Sequence, residues 1–202
     1  GLFNNRIFLS ADYYVKTTKD LLYQVTVPAL LGFTKAWGNI GSIRNKGFEL
    51  EVTTQNLTGR LKWSTSLNVS YNQNKVLSLG DDNSTVFTGY DSTTQVFMVD
   101  QPLRSFYMYD AVGVYQTQAD LQKYPVMQNS KVGDVRYRDA NGDGVINDSD
   151  RTLMGKPDPD YTFGITNTFK YKNFDLSFLI TAQTGGQIYS VLGRAMDRPG
   201  MG

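Results

Sequence analysis

Five separate stretches of this sequence alternate apolar and polar side chains with a period of two, and no other feature restricts the fold so strongly. In residues 6–16, Ile7, Leu9, Ala11, Tyr13 and Val15 alternate with Ser10, Asp12, Tyr14 and Lys16. In 47–54, Phe48, Leu50 and Val52 alternate with Glu49, Glu51 and Thr53. In 61–72, Leu61, Trp63, Thr65, Leu67, Val69 and Tyr71 oppose Lys62, Ser64, Ser66, Asn68, Ser70 and Asn72. In 161–171, Tyr161, Phe163, Ile165, Phe169 and Tyr171 oppose Thr162, Gly164, Thr166, Thr168 and Lys170. After the tight turn Lys172-Asn173, Phe174, Leu176, Phe178, Ile180 and Ala182 oppose Asp175, Ser177, Thr181 and Gln183. Successive Cβ atoms of a strand point to opposite faces, so each stretch reads as a strand with one apolar and one polar side. Only two of the 19 acidic residues are Glu, Ala occurs 8 times, and Ser, Thr, Asn and Gln make 57 of 202 residues. That is a composition poor in helix formers and rich in β- and turn-formers. The fold class is all-β.

A soluble antiparallel sheet also has one apolar and one polar face, so the period alone does not choose a solvent. Four further features favour a transmembrane β-barrel. The stretches have the roughly 9–11 residues that a tilted strand needs to cross the hydrocarbon. Aromatics stand near their ends: Tyr13, Trp63, Tyr71, Tyr161, Tyr171 and Phe174. Girdles at membrane interfaces need them there. The polar sides carry Ser, Thr, Asn and charges, as a wet lumen requires. Connections alternate short (1–5, 55–60, 172–173) with long (17–40, 73–160, 185–202), the parity of periplasmic turns and outer loops. The turns Asn56–Gly59 and Lys172–Asn173 are expected on the periplasmic side, and 17–40 and 73–160 outside. A further strand is expected at 104–115, inside the long excursion, followed by an Asp-rich loop over 116–160. The chain opens on the turn-like Gly1-Leu2-Phe3-Asn4-Asn5-Arg6 and closes on Arg198-Pro199-Gly200-Met201-Gly202. It is therefore expected to be a piece of a longer protein, too few strands to close a barrel alone.

Several chemistries are excluded by composition. His and Cys are both absent, which removes disulfides, Cys or His zinc sites, cysteine nucleophiles and any Ser-His-Asp triad. A formal charge of +1 gives no electrostatic footprint for nucleic acid. Glu49 and Glu51 stand two apart on one strand face, superficially a glycosidase pair. Nothing else in the sequence builds an active site around them, so no enzyme is expected.

Residues 139–150 have the spacing of an EF-hand or dockerin-type calcium loop. Asp139, Asn141 and Asp143 fill its first, third and fifth positions, Gly144 the sixth, the Val145 carbonyl the seventh, Asn147 the ninth and Asp150 the twelfth. The four carboxylates of Asp139, Asp143, Asp148 and Asp150 would repel one another without a cation, so a structural Ca2+ is expected. The competing reading is an Asp/Asn/Gly-rich turn with no ion, since the helices of an EF-hand are not apparent on either side. Tyr107, Tyr109, Tyr115 and Tyr137 could stack on sugar rings; packing within the excursion is the plainer reading. Asp12, Lys16, Glu49, Glu51, Lys62, Lys170 and Asp175 could line a substrate path or simply face a solvated lumen.

The run Gly133-Asp134-Val135-Arg136-Tyr137-Arg138-Asp139-Ala140-Asn141-Gly142-Asp143-Gly144, continued by Asp150-Arg151-Thr152-Leu153-Met154-Gly155-Lys156-Pro157-Asp158-Pro159-Asp160-Tyr161, closely resembles a signature of SusC/RagA-type TonB-dependent outer-membrane transporters of Bacteroidota. Phe3-Asn4-Asn5-Arg6, Asp12-Tyr13-Tyr14, Asn39-Ile40-Gly41, Asn45-Lys46-Gly47-Phe48-Glu49 and the hairpin Tyr171-Lys172-Asn173-Phe174-Asp175 match the same family in the same order. The resemblance implies an antiparallel part of a 22-stranded transmembrane barrel that encloses a plug, in the cell outer membrane, with residues 1–202 in the barrel domain. It also implies import of oligosaccharides, peptides or other large nutrients. The implied partners are a SusD-like lipoprotein lid, a TonB complex reached through segments outside this sequence, a glycan or peptide substrate, and outer-membrane lipid. The reading set against it is a soluble, calcium-stabilised β-sheet carbohydrate-binding module; a surface-layer or adhesin piece is a third.

Overall fold

The structure is a computed structural model that describes residues 2–26, 35–39, 41–80, 82–88 and 94–190. All five alternating stretches are strands, and together they form one antiparallel sheet. β1 (Ile7–Thr18), β4 (Ser42–Thr58), β5 (Leu61–Ser78), β12 (Tyr161–Tyr171) and β13 (Phe174–Thr184) lie side by side in that order. A hairpin of β2 (Leu22–Thr26) and β3 (Lys35–Asn39) stands between β1 and β4 in sequence. The register carries the period across the whole sheet. Leu9, Val52, Leu67, Ile165 and Ile180 form one continuous row, and Tyr13, Phe48, Tyr71 and Tyr161 form another four residues further along β1. Trp63, Phe169 and Leu176 line the opposite end of the same face, with Leu61, Tyr171 and Phe174 below them. The rings touch along these lines: Phe48–Tyr71 centroids are 6.0 Å apart, Tyr71–Tyr161 4.8 Å and Trp63–Phe169 5.4 Å. Ten residues separate Leu61 from Tyr71. At about 3.3 Å per residue and a tilt near 40° this spans roughly 25 Å of height, the apolar band of an outer-membrane barrel.

None of the described residues covers that face. Leu9 is 62% exposed and Phe174 79%. A buried side chain of this kind contributes about 1.5–3 kcal/mol, so an aqueous surroundings forfeits that gain row after row, and a hydrocarbon one restores it. The sheet is open, with β1 and β13 at its edges.

The buried core lies elsewhere, where the long excursion meets the upper end of β5. Val76, Leu79 and Phe97 are buried together, with Leu21, Ile43, Val86, Val99 and Leu103 packed against them. Below that level β5 pairs with β12, but the ladder ends at Tyr71–Tyr161. Above it residues 98–101 take the free edge: Val76 N–H donates to the Gln101 carbonyl at 2.9 Å and Asp100 N–H to the Val76 carbonyl at 3.0 Å. Lys75 pairs with Asp100 at 2.8 Å. Ile43 and Val76 are cross-strand partners on the face of Glu49 and Ser70, so the excursion leans over the polar side of the wall.

Within the excursion the structure departs from the sequence expectation. The stretch 73–103 is not irregular throughout: β5 continues to Ser78, and β6 (Val86–Thr88) and β7 (Gln95–Phe97) pair beyond it. Residues 104–115 are two strands rather than one. β8 (Ser105–Tyr109) joins the sheet ordered β11-β8-β7-β6, whereas β9 (Ala111–Val114) pairs with β10 (Val135–Tyr137). The break is Asp110, whose carbonyl accepts from Arg138 N–H at 2.9 Å and whose carboxylate holds the Arg138 guanidinium at 2.7 Å. The expected loop at 116–160 contains α1 (Gln118–Lys123), capped by Thr117, as well as β10 and β11 (Arg151–Gly155). The turn expected at Asn56–Gly59 is displaced to Gly59–Arg60, because β4 runs on to Thr58 through a bulge between Gln55 and Leu57. The other short turn, Lys172–Asn173, falls where the sequence puts it. The closing residues 191–202 lie outside the described residues.

Candidate binding face and acidic loop

The polar face of the sheet is ordered by the same register. One row reads Asp12, Glu49, Ser70, Thr162, Gln183, and the next Ser10, Glu51, Asn68, Gly164, Thr181. Ser10, Asp12, Glu49, Glu51, Asn68 and Ser70 line a shallow hollow of about 300 Å3. Asp12 accepts from the Ser10 hydroxyl at 3.4 Å; among the described residues neither Glu49 nor Glu51 forms an ion pair. Like charges directly opposite, as Asp12 and Glu49 are, destabilise a sheet by a few tenths of a kcal/mol to about 1, a cost that water over this face screens. At the other end Lys62 and Lys170 are opposite each other, and Lys170 reaches Asp175 at 3.7 Å. The wall is therefore banded, acidic in the middle and basic near the short turns. The sequence flags these charges but not the small polar residues that set their spacing. Asn68 and Ser70 carried no signal beyond their place in the alternation.

Two glycines let this face pack closely. Tyr14 lies over Gly47 and donates to Asn72 Oδ1 at 3.2 Å. Asn68 lies over its cross-strand partner Gly164.

The acidic loop is held by its own backbone. Asp139 accepts from Gly142 N–H at 2.7 Å and Gly144 N–H at 2.8 Å. Asn141 accepts from Asp143 N–H at 2.9 Å and donates to Asp143 Oδ2 at 2.9 Å, while Asp143 Oδ1 accepts from Val145 N–H at 2.9 Å. Gly142 and Gly144 have φ of 78° and 85°, left-handed values that glycine adopts without strain. Asp150 is wholly buried and accepts from Asn147 N–H at 2.8 Å and Ala140 N–H at 2.9 Å. Those amides, that of Asn147 foremost, hold its carboxyl below the usual carboxylate range. Asn147 caps the one-turn 3-10 helix Asp148–Asp150. Ile146 is buried beneath the loop, its N–H donating to the Val126 carbonyl at 3.2 Å. Repulsion among the acids therefore does not require a cation, because backbone N–H groups supply the compensation and Arg151 pairs with Asp148 at 2.9 Å. Among the described residues no group of three carboxylates is placed to hold a metal ion.

The tyrosines divide. Tyr115 is buried and donates to the Pro125 carbonyl, a packing residue. Tyr109 and Tyr137 have centroids 5.2 Å apart, with the Arg151 guanidinium 5.2 Å over Tyr109. Burial pushes the Tyr109 phenol above its ordinary value. Tyr107 sits 6.1 Å from Phe87.

A family model described as "TonB dependent receptor-like, beta-barrel" matches residues 2–185. The chain belongs to the TonB-dependent receptor β-barrel family. Two receptors of Formosa agariphila are similar to it: P26, 34% identical over 195 residues and 95% of this chain, and P3, 37% identical over 195 residues and 93% of it. The TonB-dependent receptor SusC of Bacteroides thetaiotaomicron is 30% identical over 200 residues and 94% of this chain. These matches cover 20%, 20% and 19% of the relatives, so the chain spans about a fifth of their length. The solved structure of the RagAB peptide transporter shares the fold with TM-score 0.69 and 22% identity over 91% of this chain and 19% of that one. The receptor is of SusC/RagA type. In a closed membrane barrel of such strands the apolar face is the outward side and the polar face the inward one.

Proposed function

We propose that this chain forms part of the wall of an outer-membrane importer for oligosaccharides, peptides or other large nutrients. It works with a SusD-like lipoprotein over its outer mouth and is energised by a TonB complex acting through segments beyond this sequence. Residues 73–160 form an extracellular excursion. The observation that carries the reading is the five-strand register, which places an apolar band of membrane height on one face and Ser, Thr, Asn and carboxylates on the other. A soluble carbohydrate-binding module would not leave that band uncovered. The test uses the full-length receptor with its neighbouring lipoprotein, tagged and solubilised from outer membranes. Co-purification of the pair, and loss of growth on one glycan or peptide source when the receptor gene is deleted, are the expected results. A receptor found in the soluble fraction would overturn the reading.

For the loop 139–150 a structural Ca2+ is part of the same proposal. The oxygens of Asp139, Asn141 and Asp143 and the Val145 carbonyl are hard ligands of the kind calcium takes. Asn147 and Asp150 complete the set by spacing. Their engagement with backbone amides makes any ion an addition to a loop that already has its own supports.

A further inference from the structure

The apolar face of the wall is almost free of charge. Of the residues that β1, β4, β5, β12 and β13 turn to that side, three are charged, and all three are cations: Arg44, Lys46 and Lys75. The carboxylates of these strands, Asp12, Glu49, Glu51 and Asp175, stand on the polar face. The three cations are also neighbours. Lys46 shares a cross-sheet row with Val15 and Gln73, directly above the row of Tyr13, Phe48 and Tyr71. Arg44 and Lys75 are opposite each other in the next row up, beside Thr17.

The charge of this patch is only partly compensated. Lys75 pairs with Asp100 at 2.8 Å. Among the described residues neither Arg44 nor Lys46 forms an ion pair, and both are exposed. Three cations less the one carboxylate leave a net +2. Like charges directly opposite each other destabilise a strand pair, and an anion seated between them turns that repulsion into attraction.

Height says which anion. Successive residues on one face lie about 6.6 Å apart along a strand, or roughly 5 Å in height at the tilt of a barrel wall. Lys46 thus stands roughly 5 Å above the upper aromatic row, and Arg44 and Lys75 roughly 10 Å above it. Aromatic rows of this kind mark the membrane–water interface. The cations therefore lie at the level of headgroup phosphates, and the flexible stems of Lys and Arg let the charges reach up or down to meet them. A site for a soluble anion would open on the excursion or inside the mouth; this one looks sideways from the wall, above the apolar band.

We propose that Arg44, Lys46 and Lys75 hold the phosphate of an anionic glycolipid of the outer leaflet, the phosphorylated glucosamine headgroup of lipid A. The planar guanidinium of Arg44 takes two phosphate oxygens side by side, and the Lys46 ammonium acts as a point charge. Gln73 and Thr17 supply neutral donors in the same two rows, suited to the hydroxyls of the attached sugar. Lys75, already engaged by Asp100, closes the patch on the side of the excursion. The inference rests on the proposed orientation, in which the excursion end of the wall lies outside. Thiol labelling of intact cells reads that orientation independently, so the two fail separately.

The experiment uses the full-length receptor, purified in detergent and freed of lipid, and native mass spectrometry with three added probes: phosphorylated lipid A, the same lipid A dephosphorylated, and phosphatidylglycerol. Phosphorylated lipid A is expected to bind at least tenfold more tightly than either of the others. Arg44→Gln combined with Lys46→Gln is expected to remove that preference, with the heat-modifiable folded barrel retained on gels. Lys16→Gln combined with Lys123→Gln, the same change of charge on the polar face and on α1, is expected to leave it intact. Should the first pair fail to fold, Lys46→Gln alone takes its place, with at least a threefold loss expected. Equal binding of the two forms of lipid A, tighter binding of phosphatidylglycerol, or a preference indifferent to the Arg44 and Lys46 changes would each overturn the proposal.

Discussion

Tyr14 occupies the space that a side chain at position 47 would need: a Cβ there would stand 2.7 Å from the Tyr14 hydroxyl and 2.2 Å from the Tyr71 carbonyl oxygen. The two residues are directly opposite each other on β1 and β4. Ring and glycine thus form one joint on the lumen wall, locked by the hydroxyl that Tyr14 donates to Asn72.

Gly47→Ala is expected to destabilise the full-length barrel by about 1–3 kcal/mol, since an added methyl here forces side-chain and backbone shifts. Tyr14→Phe removes only one part-buried hydrogen bond and should cost about 0.5–1.5 kcal/mol. Urea unfolding of the two variants in detergent checks the order; a Gly47→Ala barrel as stable as the parent would contradict the joint.

The base of the excursion carries a second tight site. Lys156 pairs with Asp160, and a Cβ at Gly185 would fall 2.4 Å from Asp160 Oδ2. Gly185 also has φ of 91°. Gly185→Val is therefore expected to loosen the junction between β13 and the excursion. Faster amide exchange over residues 156–160, with exchange in β4 unchanged, is the readout.

The acidic loop has a defined pH response. The Asp150 carboxyl is depressed below its ordinary 3.8, so it contributes stability that is present above that value and lost as pH falls through its folded pKa. Limited proteolysis of the receptor should show the 139–150 loop intact from pH 5 to 7 and opening below about pH 4, the region where a free Asp titrates. Asp150→Asn, which keeps one acceptor and loses the charge, should open the loop at all these pH values.

Calorimetric titration of Ca2+ into chelator-treated receptor tests the ion. Saturable binding by the parent and none by Asp139→Ala combined with Asp143→Ala is the expected pair of results. Equal behaviour of the two proteins removes calcium from the account.

Topology can be read from intact cells. An impermeant thiol reagent should label Asn141→Cys, in the excursion, and not Arg60→Cys, in the turn between β4 and β5. The reverse pattern would invert the barrel.

The five wall strands were legible because a period of two repeated over a dozen residues has a single geometric reading, whereas keeping every apolar residue on one side narrows their mutual register only to slips of two residues. The excursion was not, for physical reasons. β6 and β7 have three residues each, too few to show a period. Asp110 turns one aromatic run into two strands through its two bonds to Arg138, a partner 28 residues away. The helix α1 did leave a mark, since Thr117 and Asp120 have the spacing of a capping box. The bulge at Asn56 is invisible in composition. The acidic loop was found by its spacing, but its carboxylates bond to nearby N–H groups, an outcome that residue types cannot foretell. Thr65 and Asn167 break the apolar face of β5 and β12, and only the structure shows that Asn167 Oδ1 accepts there from Thr65 Oγ1 at 2.7 Å and from Trp63 Nε1 at 3.0 Å.

The handover at Tyr71, where β5 exchanges β12 for residues 98–101 as its neighbour, has a mechanical side. Two ladder bonds at Val76, the Lys75–Asp100 pair and the Leu103 amide on Asn74 Oδ1 all attach the excursion to one strand within three residues. A tug on the excursion thus arrives at β5 through this rivet line, and at β12 and β13 through the Asp160 junction, where Asn72 N–H donates to the Asp160 carbonyl and Asp160 N–H to the Thr184 carbonyl. The other end of β5 reaches the short turn at Arg60, so strain applied to the excursion is delivered along that stave to the opposite rim of the sheet.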